Sequence, residues 1–341
     1  MDNIVRLVSK SGHTSIIITG FLMLKEQKQI DFVFDERFGQ WNDCPHEHII
    51  EAEINGKSIA FDLFDGSEDI ITPKFQHYVA SKDAYFKRSY ALEEIQALPN
   101  ECRDKVFPLG LFYRVTYPGN PLYKDEKKLT WNERLFGNKP KSYYTPDKFE
   151  TKGECVIQSN PQVMFFTRLW GSADDSEKAA DRSLNAMRIE TIRLLKSKLE
   201  GVFIGGIQDT DLARKLCPDI ILPGKYTRRD HYIAIMKKTP ISISSEGLHR
   251  SINGKIAEAV AAGRAIVCEK LHYEVPGNFH EGANYLAYTT PHECLNCVEK
   301  LLSNRALLKD LQKNNVEYYE NYSRPDKIVQ NALMKANAME A

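Results

Sequence analysis

The chain has no excess of charge of either sign, because its 341 residues include 46 lysines and arginines and 46 aspartates and glutamates. A balanced charge gives no overall attraction to nucleic acid or to an anionic membrane. We therefore expect no nucleic-acid partner and, at most, peripheral contact with a membrane.

The cysteines are too few and too scattered to form a disulfide framework. There are seven, an odd number, which favours a reducing compartment. The first residues carry charges but no uninterrupted apolar core, so they lack the pattern of a secretion signal. A cytoplasmic location is expected. Cys294 and Cys297 form a lone Cys-x-x-Cys pair, for which packing on a helix face is preferred over zinc or redox chemistry.

Long apolar runs are missing as well. The most apolar early stretch, residues 14–24, is too short to cross a bilayer and is predicted to be a buried strand. With 341 residues, of which 42% are hydrophobic, the chain is long enough to build two cores. A two-domain globular protein is indicated.

Residues 240–271 are the most informative segment. Their pattern predicts a strand at 241–244, a polar loop at 245–254, an alanine-rich helix at 256–262 and a strand at 265–268. A loop that leads into a helix offers unpaired backbone N–H groups to an anion. Gly263 is predicted to end the helix.

Lys255 and Glu258 lie three residues apart and share one face of this predicted helix. The pair points one cation and one carboxylate at whatever the loop binds. The alternative is a solvated face of a core helix, since alanine-rich helices with a Lys and a Glu are common.

The string KIAEAVAAGRAIV, residues 255–267, resembles the Lys-x-x-Glu-x-x-x-Ala-Gly-x-Pro-Val-Ile segment of GT-B-fold glycosyltransferases. Those enzymes belong to the group-1 branch that elongates bacterial surface polysaccharides such as lipopolysaccharide. The resemblance implies that Glu258 binds the ribose hydroxyls of a nucleotide sugar, and that Lys255 and the preceding loop lie near its diphosphate. The implicated loop residues are Gly247, Leu248, His249, Arg250 and Ser251.

One departure from the family concerns the anomeric outcome. Many retaining members have a second Glu eight residues before the ribose Glu, and here Arg250 holds that position. Glu246 is twelve residues before Glu258. Retention and inversion therefore both stay open. His249 is a candidate for donor contact or for a general base, with loop packing as the alternative.

Alternating strand and helix patterns surround this motif. Strands are predicted at 163–167, 202–205, 219–222 and 284–288, and helices at 177–199, 209–216, 229–238 and 291–319. Such alternation favours a parallel sheet with helices on both faces. The predicted fold class is α/β with two Rossmann-like, GT-B-like domains, of which the N-terminal one is short and irregular.

Two further segments resemble the same family, in the family's order. VMFFTRLW resembles the first strand of the donor domain, which implies that Arg168 reaches the donor phosphates. IILPGKYTRRDHYIAIMKKTPISIS resembles the stretch whose loop packs near the nucleobase. That resemblance implicates Gly224, Lys225 and Thr227.

Composition also predicts the domain boundaries. Residues 118–160 are rich in Pro, Gly, Lys, Asn and Tyr and have no sustained periodicity. We expect an acceptor-side α/β domain at 1–157, with an extended loop at 118–157, and a nucleotide-sugar domain at 158–324. The resemblance implies that a C-terminal helix within 325–341 crosses back onto the first domain. Strands of the first half are predicted at 5–8, 15–18, 31–34, 48–53, 58–64, 83–86 and 105–109.

The first half supplies the candidates for acceptor chemistry. Asp65 follows a predicted strand, and a general base must come from the acceptor side, so Asp65 is the first candidate. A turn or N-cap aspartate is the alternative. His13 lies in a triplet that loosely resembles the family's first loop, or in an ordinary turn. Lys87 and Arg88 follow another strand, where they meet a phosphate or an acidic acceptor, or form a solvated basic turn.

Together these patterns predict a cytoplasmic glycosyltransferase that moves a sugar from a nucleotide-activated donor to a glycan or lipid-linked acceptor. No metal and no cofactor are expected, because a helix N-terminus and cations can stabilise the departing diphosphate. Asp174 and Asp175 are placed in a polar loop. The alternatives are a nucleotide-sugar epimerase on the same fold and a non-catalytic nucleotide- or glycan-binding module.

Overall fold

The computed structural model describes residues 3–40, 42–123, 144–171 and 179–339. The chain divides into two compact units. The first unit consists of Met1–Lys148, Tyr273–Gly277 and Glu320–Ala341, and the second of Phe149–His272 and Asn278–Tyr319.

The described strands are, in chain order, β1 Ile4–Leu7, β2 Val33–Glu36, β3 Ile49–Ile54, β4 Lys57–Asp62, β5 Ala84–Lys87, β6 Val106–Pro108, β7 Val163–Thr167, β8 Phe203–Ile207, β9 Ile241–Ser244, β10 Ala265–Glu269 and β11 Tyr285–Tyr288. The described helices are α1 Ser15–Glu26, α2 Pro73–Ala80, α3 Leu92–Gln96, α4 Asn100–Arg103, α5 Ala179–Lys198, α6 Asp211–Leu216, α7 Gly224–Thr227, α8 Arg229–Lys238, α9 Gly254–Ala261, α10 Pro291–Ser303, α11 Arg305–Tyr318 and α12 Pro325–Lys335.

The second unit is built on a fully parallel sheet in the order β11-β10-β9-β7-β8. Strands β7 and β9 are buried at every residue, as expected for strands covered on both faces. Helix α5 packs against α10, and α9 packs against α11. The parallel sheet predicted for this half is confirmed. Its strand order reverses between β7 and β9, which marks the place where such sheets bind ligands.

The first unit contains a six-stranded sheet in the order β2-β1-β3-β4-β5-β6. Its strands are parallel except β3, which runs antiparallel to both β1 and β4. Because of this reversal, the start of β3 lies at the same edge as the ends of β1, β4 and β5. The predicted α/β fold class with two Rossmann-like domains and an irregular first one is confirmed.

The strand predicted within residues 14–24 is wrong, because these residues form helix α1. A helix that is apolar on all sides has no amphipathic period, and it occurs where packing surrounds it. Ser15–Phe21 are all buried. The apolar run therefore resembled a strand although its backbone is helical. None of the described helices is both long enough and apolar enough to span a bilayer.

The strand predicted at 219–222 is also wrong. Pro218–Ile220 form a 3₁₀ turn, and one isolated bridge joins Ile221 to Ile207 at the end of β8. Proline has no N–H group for a sheet and fits the first turn of a helix. Cys217 ends α6 directly before this turn, so little chain is left for a strand.

The first turns of helix α12, which contain Pro325 and Val329, pack on helix α1. Gln27 at the end of α1 donates a hydrogen bond to Asp326 of 3.0 Å. At the centre of the contact is Gly20, where a Cβ atom would lie 2.2 Å from the backbone oxygen of Pro325 and 2.6 Å from a methyl group of Val329. The two helices therefore approach each other at a distance that only glycine permits.

Gly20→Ala is expected to lower the free energy of unfolding. Alanine is normally favoured over glycine inside a helix by about 1 kcal/mol, but here the added methyl group collides with backbone, and such overpacking costs about 1–3 kcal/mol. Thermal unfolding checks this, with Gly224→Ala as the control because a Cβ there meets nothing within 4 Å. A Gly20→Ala midpoint at or above the wild-type value would contradict the close contact.

Candidate functional site

The candidate site of the second unit lies at the carboxyl ends of β7 and β9, which are neighbours in the sheet. Residues 245–253 connect β9 to α9 and form its loop. Asn253 caps α9, since its side chain accepts a hydrogen bond of 3.1 Å from the backbone N–H of Lys255. This geometry follows from the residue types, because Asn is a favoured N-cap and Gly263 adopts φ +61° beyond the end of the helix.

A single arginine of α5 holds the two loops of the site together. Arg188 is 1% exposed, and it donates to the Ser245 hydroxyl at 2.8 Å, to the Arg168 carbonyl at 2.6 Å and to the Glu246 carbonyl at 2.6 Å. Burial lowers the pKa of Arg188 to about 10, so it stays charged at neutral pH. The residue was not identified from the sequence, because one Arg in a long charged helix carries no distinguishing pattern.

Arg168, predicted to meet donor phosphates, follows β7 and is exposed at this edge. Its guanidinium lies 3.8 Å from the ring centroid of Trp170, a cation–π contact. Because its carbonyl is bound to Arg188, the backbone of Arg168 is tied to the loop that follows β9. The predicted role of its side chain remains a prediction.

The loop predicted to face the donor closes tightly on itself. The backbone N–H of Gly247 donates to the Ser251 carbonyl at 2.9 Å, and a Cβ on Gly247 would lie 2.3 Å from the Ser251 hydroxyl. Within the 3₁₀ turn Leu248–Arg250, His249 and Arg250 have φ of +55° and +58°. Non-glycine residues in the left-handed region cost energy and are enriched at functional sites.

The side chains of this loop point in different directions. His249 and Arg250 are exposed, whereas Ser251 is buried and Leu248 is half-buried. Arg250 Nε lies 3.6 Å from a carboxylate oxygen of Glu246, so an ion pair occupies the position to which the resemblance assigns a second Glu.

Lys255 lies in the first turn of α9, half-buried, with its ammonium 4.0 Å from the ring centroid of Tyr232. Burial, opposed by Glu258 and reinforced by Arg229, Arg188 and Arg168, lowers the pKa of Lys255 to about 8. The ammonium thus lies in a positive environment that a bound anion would relieve.

Glu258 lies one turn after Lys255 and is 6% exposed. Its Oε1 accepts a hydrogen bond of 2.6 Å from Arg229 Nη2, and its Oε2 is buried without a hydrogen-bond partner among the described residues. The alternative of a solvated helix face is therefore wrong for Glu258. Lys255 and Glu258 do lie on one face of α9, as the spacing predicted.

Gly224, Lys225 and Thr227, predicted to lie near the nucleobase, are all exposed and form the short helix α7. Tyr226 of this helix and Tyr232 of α8 both contact the ring of Phe166 on β7, at centroid distances of 6.0 and 6.2 Å. This aromatic cluster places α7 beside β7.

Besides Arg188, three residues of this edge were missed by sequence reasoning: Arg229, Tyr232 and Glu269. Glu269 ends β10 and accepts a hydrogen bond of 2.6 Å from the backbone N–H of Glu246, which orients the loop. Burial, followed by the charge of Glu246, raises the pKa of Glu269. Its position after a parallel strand next to β9 was the available signal.

Aspartate pairs give no metal site in the described part of the second unit. Asp209 and Asp211 form an Asp-x-Asp sequence, but both carboxylates pair with Arg214, at 2.7 and 3.1 Å. Asp174 and Asp175 lie outside the described residues.

At the edge of the first sheet, His13 is packed among rings. Its centroid lies 4.8 Å from that of His48 and 5.3 Å from that of Phe112, and Nδ1 is 3.4 Å from the Leu63 carbonyl. Burial lowers the pKa of His13 to about 4, although Asp65 opposes the shift. His13 is therefore neutral at physiological pH.

Asp65 and Arg88, predicted as base and acceptor contact, form an ion pair with each other. The Arg88 side chain is 7% exposed, that of Asp65 is 34% exposed, and the Arg88 guanidinium stacks on Phe112 at 4.3 Å. Arg88 is thus committed to Asp65 in this structure, and Asp65 is the more accessible of the two.

Lys87 is not accessible to solvent, although its predicted contact with an acceptor requires an accessible side chain. It is completely buried, 2.8 Å from Asp62 and 3.2 Å from Asp69. Burial alone lowers its pKa, but the two carboxylates outweigh burial and raise it. The β5 pattern is buried at every residue, so Lys87 points into the unit. Asp62, Asp69 and His46 have metal-like spacing, yet the Lys87 ammonium already supplies the positive charge between the carboxylates.

Comparison with known proteins gives a likeness in fold. No protein-family model matches the chain, and no curated protein matches it. Among solved structures, Anabaena HepE in complex with UDP-glucose is 10% identical with a TM-score of 0.47, covering 98% of each chain. WaaG, a glycosyltransferase involved in lipopolysaccharide biosynthesis, is 16% identical with a TM-score of 0.39, covering 92% of this chain and 80% of WaaG.

A third match is the C-terminal domain of LpcC, a group 1 family glycosyl transferase from Francisella tularensis. It is 15% identical with a TM-score of 0.33, covering 50% of this chain and 96% of that domain. Two of these three structures, WaaG and LpcC, are glycosyltransferases. Likeness at these identities concerns the fold alone and assigns no activity.

The lowered pKa of Lys255 predicts a pH dependence of diphosphate binding. The ammonium is charged below about pH 8 and neutral above it, so affinity should fall about tenfold between pH 7 and 9 if it contacts phosphate, the loss of one charge-assisted bond. Calorimetric titration with nucleoside diphosphates measures this. Lys255→Arg should remove the dependence, because arginine stays charged throughout. An equal fall in that variant would exclude Lys255 as the titrating group.

Proposed function

We propose that this protein is a glycosyltransferase that moves a sugar from a nucleotide-activated donor to a glycan or lipid-linked acceptor in the cytoplasm. One observation carries the proposal. At the reversal point of a parallel sheet, a capped helix start, two cations and a buried carboxylate come together, namely Asn253, Arg168, Lys255 and Glu258. Parallel sheets bind nucleotides at this point. All seven cysteines are free. This supports the cytoplasmic location, because disulfides are rare in that compartment.

The proposed roles of the donor-side residues follow from the negative charge of the leaving group. A departing nucleoside diphosphate accumulates negative charge, which backbone N–H groups at a helix start and nearby cations stabilise. Arg168 and Lys255 supply the cations, and Arg188 keeps both loops in place through bonds of 2.6 to 2.8 Å. Glu258 then accepts hydrogen bonds from ribose hydroxyls. His249, exposed in the loop, contacts the donor or moves a proton.

The acceptor side rests on the first unit. Asp65 remains the candidate base, because it is accessible and unprotonated carboxylates accept the proton of a hydroxyl in the transition state. The ion pair with Arg88 fixes its orientation. His13, neutral at physiological pH, would contribute a hydrogen bond to an acceptor hydroxyl and no charge.

A ligand screen tests the proposal. Thermal unfolding of the protein with a panel of nucleoside diphosphates and nucleotide sugars should show a raised midpoint for at least one, because binding to the native state stabilises it by mass action. The stabilising donor is then incubated with and without saccharide acceptors. Sugar transfer supports the proposal. Conversion of the donor without an acceptor indicates an epimerase, and binding without any turnover indicates a binding module.

Glu258→Ala should weaken nucleotide binding by about 1.5–3 kcal/mol, the range for hydrogen bonds to a charged group. Calorimetric dissociation constants check this, with the exposed Glu299→Ala on α10 as the matched control. A folded Glu258→Ala variant with the wild-type constant would remove Glu258 from the nucleotide site.

Asp65→Asn should keep donor affinity but lower the transfer rate by roughly 10²–10⁴, the usual contribution of a general base. Asparagine keeps the shape of the side chain and can still accept a bond from Arg88. Both quantities are measured on one preparation, alongside the exposed Asp104→Asn as control. Near-normal transfer would demote Asp65 to a turn aspartate.

A further inference from the structure

The carboxylate of Glu258 has its two oxygens in different situations. Oε1 accepts a charge-assisted hydrogen bond of 2.6 Å from Arg229. Oε2 is buried and has no hydrogen-bond partner within the part of the chain that the structure describes. A buried acceptor without a donor is costly. Burial and then the neighbouring Glu258 carboxylate raise the pKa of Tyr232, so Tyr232 also lies beside this carboxylate, and Oε2 is the less satisfied of its two oxygens.

Arg229, the first residue of α8, is better placed to meet a ligand than the carboxylate it binds. Its side chain is 33% exposed, whereas that of Glu258 is 8% exposed. The guanidinium lies 5.1 Å from the ring centroid of Phe149 and 5.6 Å from that of Tyr232. These two rings hold the guanidinium in front of the Glu258 carboxylate. A ligand that approaches Glu258 therefore contacts Arg229 first.

The surroundings carry more positive than negative charge. Lys255 lies one turn from Glu258, and its pKa is lowered to about 8 by burial and then by Arg229, Arg188 and Arg168. Of the charged side chains that act on Lys255, one is a carboxylate, that of Glu258, and three are arginines. An anionic ligand that accepts hydrogen bonds would balance this charge.

We propose that Arg229 covers Glu258 in the unliganded protein and makes this site select nucleoside diphosphates over nucleosides. Neutral ribose hydroxyls donate weaker bonds than a guanidinium, so hydroxyls alone do not displace Arg229 from Glu258. A diphosphate instead accepts hydrogen bonds from the Arg229 guanidinium. The Glu258 carboxylate is then released to accept hydrogen bonds from the ribose hydroxyls. The inference rests on the proposed function and makes Arg229 a specificity-determining residue of the same site.

The test compares wild type, Arg229→Gln and Arg228→Gln by calorimetric titration. The probes are uridine, cytidine, adenosine and guanosine and their diphosphates. Arg228 is the matched control, because it is exposed and pairs with Asp230. In Arg229→Gln we expect the diphosphate to bind about tenfold more weakly and the nucleoside at least as tightly as in wild type, the loss of one charge-assisted contact. Arg228→Gln should leave the ratio of the two affinities unchanged.

Two results would overturn the inference while leaving the proposed function intact. If Arg229→Gln weakens nucleoside and diphosphate equally, Arg229 only positions Glu258. If neither affinity changes, Arg229 takes no part. Failure of the wild-type protein to bind any of these nucleotides would instead refute the proposed function and the inference together. Arg229→Lys, which keeps the charge, should retain a preference for the diphosphate, and thermal unfolding confirms that each variant is folded.

Discussion

The buried guanidinium of Arg188 determines the geometry of the candidate site. A charge that is 1% exposed is tolerated only where its hydrogen bonds are satisfied. Here the partners are the loop after β7 and the loop after β9, and no carboxylate lies among them. The two loops cannot move apart without leaving this cation unpaired. A site at the reversal point of the sheet is thus held by a residue that is itself buried beneath both loops.

The segment around α9 could be predicted from sequence because its signals are local. Asn253 before the helix, Gly263 after it and the buried strands on both sides each act within a few residues. Lys255 and Glu258 share a face simply because of helical spacing. The partner of Glu258 could not be predicted in this way. Arg229 lies 29 residues earlier in the chain, and only the packing of α8 on β7 brings it there.

In the first unit, by contrast, the sequence predicted polar residues at the strand ends but not the contacts they make. Its residues at or just after strand ends, Asp62, Asp65, Lys87 and Arg88, have the pattern of a polar cleft, but they pair with one another. A sequence shows charges without showing which of them neutralise each other. The same uncertainty explains α1, where an apolar run buried on all sides is compatible with strand or helix. Only the docking of α12 on α1 distinguishes the two.

The contact between α1 and α12 affects the order in which the two units can fold during synthesis. The face of α1 around Gly20 is completed by Pro325 and Val329, which are synthesised about 300 residues later. At typical synthesis rates of about 5–20 residues per second, on the order of ten seconds or more separates the two helices. The second unit lies almost wholly between them, so it can fold before the first unit is complete. Until then α1 exposes apolar surface of the kind that chaperones bind.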